Sequence, residues 1–181
     1  MRVLLLAVIV VLAASGIDHA AETRKKSASK PRSIESLNLS PKAKKAAEQL
    51  LKEYPDIVFT SGRRDLAGQA HAMAGNVVKK RDWIGKTYVS NDASKACQKW
   101  VDDHPEAKTQ KEIAAGLLET LQALGPKAGQ MSKHLSGDAF DIQPVKDNDK
   151  AEAIKKSIKE LPGVKQFLGK EGGLEIWHVG F

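Results

Sequence analysis

Apolar residues recur at helical spacing from residue 41 onward, and the breaks in that rhythm divide the chain. Ala43, Ala46, Ala47, Leu50, Leu51 and Tyr54 fall on one stripe of a helix opened by Ser40-Pro41 and ended by Pro55. Ile57-Val58-Phe59-Thr60 is a short β-branched and aromatic run, which predicts a strand closed by Ser61-Gly62. Asp65 can cap a second helix over 66–80, weakened by Gly68 and Gly75. Residues 81–91 carry no period and predict a loop packed down by Trp83 and Tyr88, followed by a helix over 92–103. The best-specified element comes next. Thr109 and Glu112 make a capping box, Ile113, Leu117, Leu118, Leu121 and Leu124 share one face, and Gly125-Pro126 stops the helix.

Beyond residue 130 the pattern changes. Ala139 to Val145 alternates and predicts a strand, a helix over 149–161 carries Ile154, Ile158 and Leu161, and Gly173 to Phe181 predicts a final strand. Helices come first and most strands last, at hairpin-scale spacing. The expected fold is α+β, a small, mainly antiparallel sheet packed by several helices. No internal repeat is visible, so residues 40–181 read as one domain.

Residues 1–21 stand outside that pattern. Arg2 precedes an unbroken apolar run from Val3 to Ala14, and small residues follow at Ala14, Ser15, Gly16, Ala20 and Ala21. The run is shorter than the ~20 residues a membrane helix needs and fits the core of an export signal. An exported protein, periplasmic or secreted, is expected, with an uncleaved anchor as the alternative. Residues 22–39 have no apolar period, hold a cluster of Lys and Arg, and read as a basic, flexible linker. Such a tail is either a solvated spacer or is drawn to an anionic envelope.

Composition narrows the chemistry. Of 181 residues, 41% are hydrophobic, enough for a core, and the formal net charge is +7. With aromatics at 5% and no nucleic-acid motif, an exported chain is a poor candidate for nucleic-acid binding despite that charge. The single cysteine, Cys97, excludes an internal disulfide and any Cys-based zinc site, and reads as a small half-buried residue. A metal here must use histidine and carboxylate. A monomer is expected.

Four histidines lie beyond the export segment. His104 precedes Pro105 among charged residues and reads as a solvated loop residue, and His71 sits mid-helix. His134 leads into a turn at Gly137, and Asp141 follows on the next strand, sharing a face with the small Ala139. That imidazole and that carboxylate can face one point, as zinc ligands do. His178 adds a second imidazole on the last strand, with Glu175 three residues before it as a possible proton acceptor. Residues three apart leave opposite sides of a regular strand, so a twist or bulge near Ile176 is required for both to address a metal. Taken alone, the segment is equally an edge strand with an exposed Glu and His.

Together the pieces resemble one family. Ser132-x-His134-x-x-Gly137-x-Ala139-x-Asp141 followed by Glu175-x-Trp177-His178 is similar to the signature of the zinc D-alanyl-D-alanine carboxypeptidases and dipeptidases, a group that includes lysostaphin and the hedgehog signalling domain. That family's upstream segment, S-G-Y-R-S-x-x-x-Q, is matched at Ser61, Gly62, Arg64 and Gln69, while Arg63 and Asp65 replace its Tyr and Ser. The resemblance spans residues 57–181. It implies that His134, Asp141 and His178 bind Zn2+ and that Glu175 is the general base. It further implies that Arg64 stabilises the oxyanion, that Ser132 binds substrate, and that Gln69 braces Arg64 or the substrate chain. Spacing favours Arg64 over Arg63 as the inward cation. Asp65 is expected to pair with Arg63 or cap a helix, Asp138 to face solvent, and Trp177 to pack beside the metal.

The expected activity is zinc-dependent hydrolysis of D-Ala-containing bonds in peptidoglycan stem peptides, by carboxypeptidase, endopeptidase or dipeptidase action. The alternatives are a non-catalytic, zinc-dependent peptidoglycan-binding module and a structural envelope protein tethered by its basic tail.

Overall fold

The computed structural model of the protein describes residues 32–171 and 174–181; the expected export segment and the linker through residue 31 lie outside them. Helix α1 runs Pro41–Glu53, with Pro41 in the first turn, where its missing N–H costs nothing, and with Ala43, Ala46, Ala47 and Leu50 buried. Strand β1, Phe59–Ser61, follows, and then α2, Leu66–Val77, whose N-cap Asp65 accepts a hydrogen bond from the Gly68 N–H at 2.7 Å. Helix α4, Asp92–Asp103, and helix α5, Gln110–Ala123, both open with capping boxes, the second made by Thr109 and Glu112 as the sequence predicts. After α5 come a 3-10 helix over Gly125–Gln130, a one-turn helix α6, Lys133–Ser136, and strand β2, Ala139–Ile142. Helix α7, Asn148–Glu160, leads to the hairpin of β3, Gln166–Glu171, and β4, Leu174–Gly180.

The four strands are ordered β1-β2-β4-β3, and each neighbouring pair is antiparallel. Alternation then gives the sheet two unlike faces. Phe140, Ile142, Trp177 and Val179 enter one core with α1, α7 and Phe181. Burying a side chain of that size contributes about 1.5–3 kcal/mol. Asp141 lies opposite His178 in the register, and both leave the other face. A second core joins α2, α4, α5 and their connections through Met73, Val77, Trp83, Ile84, Val101, Ile113, Leu117 and Leu121. This is the expected α+β fold. No described helix is long and apolar enough to cross a membrane.

Several boundaries differ. The expected loop over 81–91 holds a short helix α3, Trp83–Thr87, although Trp83 and Tyr88 do pack edge-to-face at 5.4 Å. Five residues are too few to show a helical period. Gly125-Pro126 ends α5 without ending helical structure, and β2 stops before Pro144, which has no N–H for a ladder. The linker assigned to 22–39 is too long at its far end. Ile34 and Leu37 are buried at 7% and 1% exposure, and a 3-10 turn spans Glu35–Leu37. Two isolated apolar residues among polar ones are too sparse a pattern to mark a core contact.

A candidate metal centre

Gly62 leaves β1 directly beneath the Glu35–Leu37 turn. A Cβ there would lie 2.3 Å from the Leu37 carbonyl oxygen, so only glycine passes. The Arg63 N–H donates to that same carbonyl at 2.8 Å, and the Arg64 N–H donates to the His134 carbonyl at 3.0 Å. The β1 exit is thereby stitched to α6.

Helix α6 presents His134. Ser132 is its N-cap and accepts from the His134 N–H at 3.2 Å, and Gly137 closes it at φ 77°, a left-handed conformation suited to glycine. Arg63 crosses over that turn and donates to the Ser136 carbonyl at 2.5 Å. Asp138 is not the solvent-facing filler expected. It accepts from Ser40 Oγ at 2.6 Å and Ser136 Oγ at 3.0 Å and pairs with Lys42, tying the start of α1 to the turn before β2. Burial pushes its pKa up, but the hydroxyl donors and Lys42 more than offset this and hold it below the ordinary value.

His134, Asp141 and His178 meet on the face of the sheet opposite α1 and α7. His134 Nε2 lies 3.2 Å from Asp141 Oδ1 and 3.3 Å from His178 Nδ1, and His178 Nδ1 lies 2.9 Å from Asp141 Oδ1. All three residues are buried, at 2%, 1% and 6% exposure. His134 Nδ1 is 2.6 Å from the Gly62 carbonyl, an acceptor only, so Nδ1–H donates there and Nε2 is the nitrogen turned to the cluster. Two imidazole nitrogens and a carboxylate oxygen turned on one buried point need a proton or a cation among them to offset their lone pairs. The group can hold a metal ion.

Arg64 is the inward arginine. Its Nη2 donates to Asp141 Oδ2 at 2.9 Å, and Nη1 reaches Gln69 Oε1 at 3.4 Å. Gln69 is wholly buried and donates in turn to the Tyr88 hydroxyl at 2.9 Å, so it braces Arg64. Burial raises the Asp141 pKa, but His134, His178 and Arg64 outweigh it and hold the carboxyl far below its ordinary value. Ser132 lines a cavity of about 220 Å³ that His178, Lys133, Tyr88 and Leu168 also border.

Glu175 depends on an irregularity in the hairpin. Leu168 pairs with His178 and Lys170 with Glu175, so two residues of β4 oppose the single Gly169 of β3. The bulge falls near Ile176, where the spacing of Glu175 and His178 called for one. Glu175 is exposed, and the residue also borders a cavity under α7 with Lys155 and Trp177. That cavity lies on the Trp177 side of the sheet, opposite the face that carries Asp141 and His178. Trp177 packs behind the site, in the core on the opposite face, with the Lys155 ammonium 5.5 Å from its ring centre.

The remaining histidines stand apart. His71 bonds with Gln110, and His104 is no free loop residue, since it stacks on Trp100 at 4.3 Å and bonds to that residue's carbonyl. Cys97 is fully buried, and burial pushes its thiol up to about 12. Sequence reasoning missed the Gly62 carbonyl and the Tyr88 hydroxyl. A backbone oxygen carries no residue-type signal, and Tyr88 read only as packing.

Compared with protein-family models, with curated proteins and with solved structures, the chain matches none.

Proposed function

We propose that the protein is an exported zinc peptidase that hydrolyses D-Ala-containing peptide bonds in bacterial peptidoglycan. The observation that carries this reading is the triangle of ligand atoms with edges of 2.9–3.3 Å. A tetrahedral zinc with bonds of about 2.0–2.2 Å spaces its ligands about 3.3 Å apart, and two nitrogens with one oxygen leave a fourth position open. The donor set fits zinc and suits calcium or magnesium poorly, since those prefer all-oxygen shells. Zinc bound there supplies Lewis acidity, polarising a carbonyl and lowering the pKa of a water to about 7.

The chain's own groups divide the remaining work. Glu175 takes the proton of the attacking water and passes it to the leaving amine. Arg64, a fixed cation beside the ligand carboxylate, draws the negative charge that develops on the substrate oxygen, and Gln69 keeps it in place. The hydroxyl of Ser132, whose oxygen accepts from the His134 N–H, retains its proton to donate to the substrate backbone. The apolar run of Val3 to Ala14 supports export to where such a substrate lies.

The test is mass spectrometry of peptidoglycan fragments before and after exposure to the zinc-loaded protein. Loss of a terminal D-Ala indicates carboxypeptidase action, and loss of a cross-link indicates endopeptidase action. Fragments left intact overturn the proposal. Tight fragment binding without cleavage would identify the binding module instead. A Glu175→Ala protein that keeps zinc and cleaves at full rate removes Glu175 from the mechanism.

A further inference from the structure

Three arginines border a cavity of about 520 Å³ that Arg32, Ser61, Arg63, Arg64 and Asp65 line. Its charges do not balance. Arg64 is paired with Asp141, and Asp65 spends an oxygen on capping α2. Arg63 bonds only to a neutral carbonyl, that of Ser136, and Arg32 is exposed. Neither Arg32 nor Arg63 has a carboxylate partner among the described residues. Like charges gathered at one concave place raise each other's energy, and an anion between them relieves that cost.

The position of the cavity matters as much as its charge. Ser61 pairs with Asp141 across β1 and β2, so it leaves the sheet on the metal-bearing face. The strand order β1-β2-β4-β3 then sets the arginine cavity, Asp141, His178 and the cavity walled by Leu168 in a row across that face. An extended ligand lying over the metal centre reaches the arginines at its β1 end.

We infer that the Arg32–Arg63 cavity is an anion-binding subsite that takes a side carboxylate of an acidic peptide substrate, several atoms from the bond being cut. This rests on the peptidase reading above and adds a substrate class to it. Guanidinium forks bind carboxylate in two parallel, charge-assisted hydrogen bonds, and a carboxamide cannot supply that charge.

The experiment compares two stem peptides identical except that one carries a free D-glutamyl carboxylate and the other the carboxamide. With zinc-loaded protein, kcat/KM is expected to be about tenfold or more higher for the carboxylate form, as hydrogen bonds to charged groups require. Arg63→Gln and, separately, Arg32→Gln bring the carboxylate peptide toward the rate of the carboxamide; the second variant alters an exposed side chain and leaves the fold undisturbed. Calorimetry with the zinc-loaded Glu175→Ala protein reads the same preference as affinity. If neither peptide is cleaved but the carboxylate form still binds more tightly through Arg32 and Arg63, the peptidase reading falls and the subsite stands. Equal rates and equal affinities for the two peptides, or a preference that survives both substitutions, overturn the subsite.

Discussion

His134 is pinned from several directions. Its ring is fixed by the Gly62 carbonyl, its N–H by Ser132 and its own carbonyl by Arg64. His134→Ala is therefore expected to abolish zinc binding, read as metal content after gel filtration, because one of three ligands is gone. Arg64→Ala strips the partner from Asp141 Oδ2. Outer-shell losses of that kind cost about 10–100-fold in metal affinity, and loss of a charge-stabilising donor slows turnover by about 100-fold or more. Zinc titration and kcat measured at saturating zinc separate the two effects; an unchanged kcat would assign the oxyanion role elsewhere. Cys97 offers a pH prediction. Its thiol ionises near 9.0 ordinarily and near 12 in the fold, so the folded state holds the proton more tightly. The associated stability is complete below pH 9 and declines as pH rises toward 12, by up to about 1.4 kcal/mol per unit. Urea melts of the native chain and Cys97→Ala should differ in slope over that window, and thiol reagents should label Cys97 only after unfolding.

Elements whose ends carry chemical signals were readable in the sequence, and elements defined by partners were not. Helix α5 announced itself through Thr109, Glu112 and one leucine-rich face. Thr109→Ala should cost about 1 kcal/mol in thermal melts and leave zinc affinity unchanged, since α5 contributes no ligand. Strand β3 was invisible because Gln166-Phe167-Leu168-Gly169-Lys170-Glu171 alternates poorly and gains its conformation from β4. Helix α3 was hidden by its brevity. The three residues of the candidate centre were legible because imidazoles are scarce in this chain and two of them fell in motif-like contexts. Their supports were not, since a carbonyl such as that of Gly62 and a staple such as Ser40–Asp138 follow from tertiary approach. The bulge opposite Gly169 lay between these cases, because the spacing of Glu175 and His178 demanded it before any register was known.

At the scale of the whole molecule, the candidate metal centre joins three parts of the fold: α6, the inner strand β2 and the inner strand β4. A metal bound only by the folded state stabilises it by RT ln(1 + [L]/Kd), about 4 kcal/mol at a thousandfold excess over Kd. Chelation should therefore lower the melting temperature by several degrees, and zinc should restore it. No change on chelation would separate the cluster from metal binding altogether. The strand order has one more consequence. Residues 174–181 supply an interior ribbon and the last ligand, and Phe181 closes the core behind them. Until residues 174–181 dock, β2 keeps a bare edge and the candidate centre holds only two of its three side chains, so ion capture would report the seating of β4.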